Sequence, residues 1–359
     1  MANSNQGLFN WGIIGTGVVA RKFTAGLRQS RGSSVGLVCG RDLTRTQAFA
    51  KDFGIPNATD SVSQAAANPK IDAFYIATPP TTHLAQALTI IAAGKPVLIE
   101  KPIAASAADA QAIVAAAREA HVFAMEGIWT CFLPLLGKLR TLIANGTIGE
   151  IRSIEASFGI SNRAELSDNQ FNPALGGGAL FHRGLYPLAL ALDLVGPGHL
   201  ESSAATIGDT GVDEDAVLLF RHENGALSTL RSSLRAPLSN DMVISGTRGR
   251  LHIHTPLFRP FSARLTRVVP VHRTGNRKPR FESLRESNMA QRAMQLLARF
   301  RWHGASITSH YRGNGYHYEA DAVIHAIRTG ATESPIVPLA RTLAIAETIE
   351  AARGEWTTR

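Results

Sequence analysis

Short apolar runs alternate with helical stretches along the first third of the chain. Five runs have the length and uniform hydrophobicity of strands buried on both faces. They are Trp11–Ile14, Ser34–Cys39, Ala73–Ala77, Val97–Ile99 and Phe123–Met125. The stretches between them are predicted to be helices at Val18–Gln29, Thr44–Phe53, Thr81–Ala93 and Ser106–Ala120. Because helical crossovers join parallel strands, this pattern predicts an α/β doubly wound parallel sheet.

The hydrophobic pattern changes to a period of two after a helix predicted at Leu135–Asn145. Strands are predicted at Glu150–Phe158, Ala216–Arg221, Ala226–Leu234, Met242–Ser245 and Leu251–His254. One helix, Ala179–Val195, interrupts them, and helices at Tyr316–Thr329 and Pro338–Ala352 close the chain. We therefore expect an α+β region with an open, mainly antiparallel sheet, in which the polar, basic stretch 272–314 forms a mobile excursion.

The first predicted strand runs directly into a glycine-rich turn, Gly15-Thr16-Gly17-Val18-Val19-Ala20. Gly15 permits a tight reversal, Gly17 lets backbone amides approach a phosphate, and Ala20 allows close packing of helix and strand. The helix that follows directs its positive end toward an anion. Such turns also close ordinary strand-helix corners, but the flanking strands and helix favour dinucleotide binding in a Rossmann domain.

The chain is long enough for two domains, since 359 residues exceed the usual size of a single hydrophobic core. We expect the dinucleotide-binding domain to span residues 1–128 and a substrate-binding α+β domain to span residues 129–337. The C-terminal helix, 338–354, is expected to pack back on the first domain.

The residue after the second predicted strand bears on the choice of coenzyme. Domains that prefer NAD place an acidic residue there to bind the ribose hydroxyls. Here the residue is Arg41, and a guanidinium at that point can bind a 2′-phosphate, so the sequence favours NADP(H) over NAD(H). The alternative is an ordinary surface arginine, with Asp42 reaching the ribose.

Lys101 follows the apolar strand Val97–Ile99 and is expected at the coenzyme edge of the sheet. An ammonium beside a nicotinamide can bind a substrate hydroxyl, stabilise a developing alkoxide and lower the pKa of a neighbouring phenol. A solvated lysine paired with Glu100 is the alternative. Further coenzyme-binding residues expected at this edge are Thr78, Pro79, Glu100 and His83, of which His83 either caps the site or merely begins its helix.

A second candidate site begins the helix of the α+β region, after the triple glycine 176–178. His182 and Tyr186 are four residues apart, so both are expected to project from one helical face. Hydride transfer to or from an alcohol requires a group that exchanges a proton with the substrate oxygen, and a tyrosine beside a cation can do so. Without Lys101, two buried core residues would be the better interpretation.

Composition narrows the class of partner. Arginines are frequent between Arg248 and Arg312 in a chain of net charge +9, but they lack interleaved aromatic residues or a DNA-binding motif, so no nucleic-acid partner is expected. Cys39 and Cys131 form neither a disulfide framework nor a metal-ligand pattern, and no metal site is expected. Neither a secretion signal nor a bilayer-spanning stretch is evident, so we expect a cytoplasmic protein without a membrane partner.

Taken together, these motifs resemble the Gfo/Idh/MocA oxidoreductases over nearly the whole chain. The resemblance rests on the glycine-rich turn, Thr78-Pro79-Pro80 with His83, Glu100-Lys101-Pro102, the triple glycine with Tyr186, and Glu333-Ser334-Pro335. Segments 125–130 and 171–175 look most like the branch that holds the dimeric dihydrodiol dehydrogenases, NADP-dependent xylose dehydrogenases and glucose-fructose oxidoreductases. The resemblance implies that Lys101 and Tyr186 are catalytic, that Trp129 and Phe158 line the substrate pocket, and that the second domain mediates a homodimer or homotetramer.

The chain departs from its resemblance at three positions. His182 stands where these relatives usually carry aspartate, Cys131 stands where arginine is common, and Asn169 also replaces a frequent arginine. An imidazole in place of a carboxylate removes a negative charge beside Lys101. We expect this change to lower the pKa of Tyr186 or to favour a substrate that bears an anionic group.

The sequence therefore predicts a dehydrogenase or reductase that moves a hydride between nicotinamide and a secondary hydroxyl or carbonyl of a sugar, glycoside or cyclic polyol. Tyr186 is the predicted acid and base, Lys101 orients the hydroxyl, and His182 contacts substrate or relays protons. One alternative is a redox-neutral epimerase, lyase or glycoside-cleaving enzyme that uses its nicotinamide transiently. The other is a non-catalytic regulator that binds NAD(P).

Overall fold

The computed structural model describes residues 7–268, 287–301 and 304–357. The strands of its first half are β1 (Phe9–Ile14), β2 (Ser33–Cys39), β3 (Asn57–Thr59), β4 (Ala73–Ile76), β5 (Val97–Glu100) and β6 (Ala124–Gly127). They pair in the order β3-β2-β1-β4-β5-β6, and every neighbouring pair is parallel. The predicted doubly wound parallel sheet is confirmed. The sequence did not reveal β3, because three residues with one apolar side chain show no period.

Helices connect these strands on both faces of the sheet. They are α1 (Val18–Leu27), α2 (Leu43–Phe53), α3 (Val62–Ala66), α4 (His83–Ala92) and α5 (Ala107–Glu119). Side-chain caps fix where several of them begin: the carboxylate of Asp42 accepts from the Arg45 amide at 3.1 Å, and the hydroxyl of Ser106 accepts from the Asp109 amide at 3.1 Å. The short helix α3 was not predicted.

The second half builds a separate sheet. Its strands are β7 (Ile151–Gly159), β8 (Gly198–Ile207), β9 (Asp213–His222), β10 (Leu227–Ser233), β11 (Met242–Gly246), β12 (Gly249–Ile253), β13 (Ser262–Arg267) and β14 (Ala305–Thr308). The order is β14-β13-β12-β11-β7-β10-β9-β8, with β7 and β10 parallel and the other neighbours antiparallel. The predicted mainly antiparallel sheet is confirmed. Strands β8, β13 and β14 were not predicted, because serine, threonine and arginine interrupt the alternation of apolar and polar residues in them.

The helices of the second half are α6 (Pro134–Ala144), α7 (Leu185–Val195), α8 (Asn288–Arg301), α9 (Tyr316–Arg328) and α10 (Leu339–Thr357). The predicted helix at Ala179–Val195 is present, but residues Leu180–Gly184 form a π-helical turn that precedes α7. The predicted mobile excursion falls partly on residues 272–286 and 302–303, which lie outside the described residues. The described remainder of that stretch contains α8 and β14.

Apolar layers cover both faces of the parallel sheet. On one face Trp11, Phe23 and Tyr75 are fully buried in a core that continues into the second half, and the rings of Phe23 and Tyr75 stack at 3.8 Å between centroids. The last helix, α10, contacts α5 and β6 of the first half and also α7 and β8 of the second. The two halves are therefore joined by a continuous core and by this helix. The exact domain boundaries stay a prediction.

None of the helices in the described part of the chain combines the length and the apolar character that crossing a membrane requires.

Candidate active site

The glycine-rich turn has the backbone geometry that a phosphate cradle requires. Gly15 has φ +112°, and a Cβ atom there would lie 2.6 Å from the carbonyl oxygen of Ala77. Gly17 is the N-cap of α1, and a Cβ atom there would meet nothing within 4 Å. Among the described residues, no side chain caps the N-terminus of α1, so its backbone amides and its positive dipole are available to an anion. The turn therefore fits a dinucleotide pyrophosphate.

The turn opens into a cleft of about 830 Å³ at the carboxyl ends of the parallel strands. Most of the predicted coenzyme-binding residues line this cleft: Gly15, Thr16, Gly17, Val18, Val19, Arg41, Thr78, Pro79, Glu100 and Lys101. From the second half, Asn169, Leu175 and His182 also line it. The cleft thus lies between the two halves, with the residues that fit a nicotinamide dinucleotide on one side.

Two predicted coenzyme-binding residues lie outside the cleft lining. Ala20 is fully buried in the core under the turn. His83 is also fully buried, with Nε2 2.9 Å from the carbonyl oxygen of Thr78 and Nδ1 3.1 Å from the carbonyl oxygens of Pro102 and Ile103. His83 therefore ties together the two loops that border the cleft, and it reaches a bound coenzyme only through them.

The carboxylate of Asp42 is engaged in the helix cap of α2, because it accepts from the Arg45 amide. Arg41 and Arg45 are both exposed and both line the cleft near the end of β2. The arrangement places two guanidinium groups at the position where an acidic residue would bind ribose hydroxyls.

Glu100 is held by neighbours in the first half and does not pair with the ammonium of Lys101. Its Oε1 accepts from the Tyr75 hydroxyl at 2.7 Å, and its Oε2 accepts from the backbone amide of Lys101 at 2.9 Å. The Lys101 ammonium donates to the carbonyl oxygen of His182 in the second half at 3.3 Å. The alternative of a solvated lysine paired with Glu100 is therefore wrong.

The Lys101 ammonium also lies 4.9 Å from the centroid of the Tyr186 ring. This contact joins the parallel-sheet half to α7 of the other half. Burial, together with the positive charge of Arg183, lowers the pKa of Lys101 to about 8, although the charge of Glu100 opposes the shift. An ammonium that lines the cleft thus meets a buried phenol that lies behind the lining of the cleft.

The side chain of Trp129 lies beside Tyr186 and favours its phenolate, and the ring of Trp129 stacks on Tyr316 at 4.7 Å. Burial raises the pKa of Tyr186, and the charge of Glu100 raises it further. The expectation of a lowered pKa is wrong, because burial disfavours the phenolate more than Arg183 and Trp129 favour it. Tyr186 is therefore a protonated phenol at neutral pH.

His182 is a neutral imidazole in this environment. Burial and the positive charges of Lys101 and Arg183 lower its pKa to about 3, although a hydrogen bond to the backbone of Gly176 opposes the shift. Its Nε2 is buried and has no hydrogen-bond partner within the described ranges. The nitrogen therefore remains available to a ligand in the cleft.

Aromatic rings surround Tyr186. Phe158 packs edge to face against it at 5.5 Å between centroids, and Phe258 stacks on Phe158 at 5.2 Å. The guanidinium of Arg183 lies 5.0 Å from the centroid of Phe158 and donates to Gln170 Oε1 at 2.7 Å. The structure thus brings Trp129 and Phe158 beside Tyr186, but neither side chain lines the coenzyme cleft, and their part in a substrate pocket stays a prediction.

Sequence reasoning missed Phe258, Tyr316 and Arg183 in this cluster. Arg183 follows His182 directly, so its proximity could have been inferred. Phe258 lies in a loop after β12 and Tyr316 begins α9, and neither position carries a local pattern that points to the site.

No group of three or more histidine, cysteine, aspartate or glutamate side chains suited to a metal ion occurs in 7–268, 287–301 or 304–357. His252 donates from Nε2 to Asp241 Oδ2 at 2.7 Å.

Residues 9–128 match the oxidoreductase family Gfo/Idh/MocA, NAD-binding Rossmann fold, and residues 136–252 match the C-terminal domain of the same family. The chain is 33% identical over 349 residues to trans-1,2-dihydrobenzene-1,2-diol dehydrogenase of Mus musculus, with 96% of this chain and 95% of that protein covered. It belongs to the Gfo/Idh/MocA family. As a member, it is an NAD(P)-dependent oxidoreductase with an NAD-binding Rossmann fold.

Solved structures share the whole Gfo/Idh/MocA fold of this chain. A 3-ketoreductase from Actinomadura kijaniata in complex with NADP superposes with a TM-score of 0.78 at 22% identity, and the match covers 97% of each chain. Levoglucosan dehydrogenase in complex with NADH and levoglucosan superposes with a TM-score of 0.81 at 18% identity, and the match covers 98% of each chain. Both likenesses extend over the two halves of the molecule.

Proposed function

We propose that the protein is an NADP(H)-preferring dehydrogenase or reductase that acts on a secondary hydroxyl or carbonyl of a sugar, glycoside or cyclic polyol. The observation that carries this proposal is the approach of the Lys101 ammonium to the ring of Tyr186 at the edge of the coenzyme cleft. The similar dehydrogenase and 3-ketoreductase make alcohol and ketone chemistry the natural choice.

Tyr186 is the acid and base in this proposal. A bound nicotinamide coenzyme supplies or accepts the hydride. In carbonyl reduction the protonated phenol of Tyr186 gives its proton to the substrate oxygen. In alcohol oxidation Tyr186 must first release that proton, and the resulting tyrosinate then receives the proton of the alcohol.

Lys101 stabilises charge and His182 positions substrate. The Lys101 ammonium stabilises the negative charge that develops on the substrate oxygen and on the tyrosyl oxygen. It is held for this role by the carbonyl of His182, so the second half orients a group of the first. The neutral imidazole of His182 lines the cleft, where its free Nε2 can hydrogen-bond a substrate hydroxyl.

The burial of Lys101 and Tyr186 excludes water from the proposed reaction site. Tyr186 is 8% exposed, and Trp129, Phe158 and Phe258 surround its ring. An apolar surround strengthens the electrostatic effect of Lys101 on the reacting oxygen.

Coenzyme preference is assigned to Arg41 and Arg45. Asp42 caps α2 through Oδ1, and the two side chains that line the cleft beside it, Arg41 and Arg45, are cationic. Guanidinium groups bind a 2′-phosphate, whereas they offer no acceptor to the ribose hydroxyls of NAD(H). This supports NADP(H) over NAD(H).

Assembly and compartment complete the proposal. The protein forms a homodimer or homotetramer through the uncovered face of the β7–β14 sheet, on which apolar Leu219 and Leu227 alternate with arginines.

The compartment of the protein is the cytoplasm, because Cys39 and Cys131 are both free and buried.

A substrate screen tests the proposed function. Polyols, aldoses, glycosides and uronates are offered with NADP+ and with NAD+, and nicotinamide absorbance is followed. We expect turnover with at least one class and a preference for NADP+. Product formation that needs only catalytic coenzyme, with no net absorbance change, contradicts a net dehydrogenase and supports the redox-neutral alternative.

A further inference from the structure

A second cavity lies behind the candidate active site, separate from the coenzyme cleft. Its volume is about 420 Å³, which falls within the range of about 300–1,000 Å³ for small-molecule sites. One wall is the loop 102–107, which follows Lys101, and the opposite wall is the face of α10 that carries Ile345, Ile349 and Arg353. Phe181, which precedes His182, completes it.

The cavity is mostly apolar and has one buried acid in its lining. Glu126, on the edge strand β6, is 1% exposed. Its Oε1 accepts from the backbone amide of Ile103 at 3.0 Å. Its Oε2 makes no hydrogen bond of normal geometry among the residues that the structure describes, although the buried Thr342 hydroxyl, which also lacks such a bond, is near enough to lower the pKa of Glu126. A buried carboxylate oxygen without a partner is costly, so this atom is suited to a donor supplied by a ligand.

The charges around the cavity favour a cation. The guanidinium of Arg353 is occupied, since it lies 4.9 Å from the Phe181 ring and its Nε lies 4.0 Å from Asp213 Oδ1. Glu350, at the rim, accepts from the Ala107 amide at 2.6 Å. Glu126 and Glu350 therefore outnumber the single arginine of the lining, and that arginine already has an acidic partner.

We propose that this cavity binds a small organic cation, a primary amine whose apolar body lies on Ile345, Ile349 and Phe181 and whose ammonium donates to Glu126. The site is independent of the coenzyme cleft and of the proposed substrate. Since the loop 102–107 continues directly from Lys101, a bound amine contacts the backbone that positions this lysine.

Binding of three probes of one shape to the full-length protein tests the proposal. Benzylamine, benzyl alcohol and benzoate are titrated by calorimetry at pH 8, where Glu126 is ionised and benzylamine is still protonated, so that the charge of the polar end is the main difference between the probes. We expect benzylamine to bind about tenfold or more tightly than the other two, because the hydrogen bond to a carboxylate is charge-assisted. Benzyl alcohol or benzoate binding as tightly as benzylamine overturns the cation assignment.

Substitutions on α10 show whether the probe enters this cavity. Ala346 lines it and Ala351 is exposed on the same helix outside it. We expect Ala346→Trp to abolish benzylamine binding and Ala351→Trp to preserve it. Equal binding to wild type and Ala346→Trp overturns the location, and absence of benzylamine binding to wild type overturns the proposal.

Two further variants keep the test decisive if Ala346→Trp does not fold. Ala346→Leu fills less of the cavity and is expected to weaken benzylamine binding in the same direction. Glu126→Gln keeps the shape of the side chain, and we expect it to reduce benzylamine affinity to that of benzyl alcohol. Unchanged benzylamine affinity in Glu126→Gln contradicts the role of the carboxylate.

Discussion

The ammonium of Lys101 and the ring of Tyr186 lie 4.9 Å apart although they come from different halves of the molecule. Lys101 directly follows the parallel-sheet strand β5, and Tyr186 lies in the first turn of α7 under the antiparallel sheet. The hydrogen bond from Lys101 to the His182 carbonyl holds this approach. The proposed chemistry depends on both halves being in place at once.

The pKa of Lys101 predicts an alkaline limit to activity. Burial lowers this pKa to about 8, so the ammonium is lost as the pH rises through that value. We expect kcat/KM to fall above about pH 8 if the charge on Lys101 stabilises the reacting oxygen. The Lys101→Arg variant keeps its positive charge at high pH, so the residual kcat/KM of this variant should not fall above pH 8. If kcat/KM falls in the same way in wild type and in Lys101→Arg, the titrating group is not Lys101.

His182→Asp should move that alkaline limb upward. A carboxylate beside Lys101 favours the ammonium and raises its pKa by about one unit or more. We also expect anionic substrates to lose affinity relative to neutral ones. His182→Asn is the matched neutral control. If His182→Asp keeps both the pH profile and the substrate preference of wild type, the imidazole has no part in specificity.

Arg41→Ala should weaken NADP(H) selectively. Removing a charge-assisted contact to the 2′-phosphate is expected to raise the KM for NADP(H) about tenfold, with little change for NAD(H). Arg118→Ala, on the exposed side of α5, serves as the control for the loss of one positive charge. An equal effect of Arg41→Ala on both coenzymes would contradict the proposed preference.

Glu126 should make the protein less stable as the pH rises through the weakly acidic range. Burial raises its pKa from 4.5 to about 7, so the folded protein binds this proton more tightly than the unfolded chain. The free energy of unfolding therefore decreases between about pH 4.5 and 7. Glu126→Gln should remove up to about 3 kcal/mol of this decrease.

Urea unfolding at pH 5 and pH 7.5 measures the effect of Glu126→Gln. The variant should gain stability relative to wild type at the higher pH. Glu347→Gln, an exposed position on α10, should leave the pH dependence unchanged. A stability difference between wild type and Glu126→Gln that is the same at both pH values would show that Glu126 does not titrate in this range.

Local patterns in the sequence were sufficient to predict the type of each sheet, most of its strands and the position of the coenzyme cleft. Strands such as β1 and β5 are apolar throughout, and the glycine-rich turn has a fixed spacing that its function requires. The pairing of β7 with β10 in parallel, and the π-helical turn before α7, depend on tertiary packing and have no sequence signal.

The candidate site was predicted less completely than the fold. Lys101, His182 and Tyr186 were found because their residue types are unusual in their settings. Phe258 and Tyr316 were missed, because an aromatic side chain in a loop or at a helix start gives no indication of which ring it will meet. The direction of the Tyr186 pKa shift was predicted wrongly, since its burial and the nearby Glu100 depend on the folded structure.

Single-turnover kinetics of Tyr186→Phe test the central claim most directly. The variant lacks only the hydroxyl, and Tyr318→Phe removes a hydroxyl that bonds the Arg312 amide at 3.3 Å. We predict that Tyr186→Phe slows hydride transfer by about 10²–10⁴-fold while the dissociation constant of NADP(H) stays within the range of wild type, and that Tyr318→Phe changes neither. Hydride transfer at the wild-type rate in Tyr186→Phe would contradict the account.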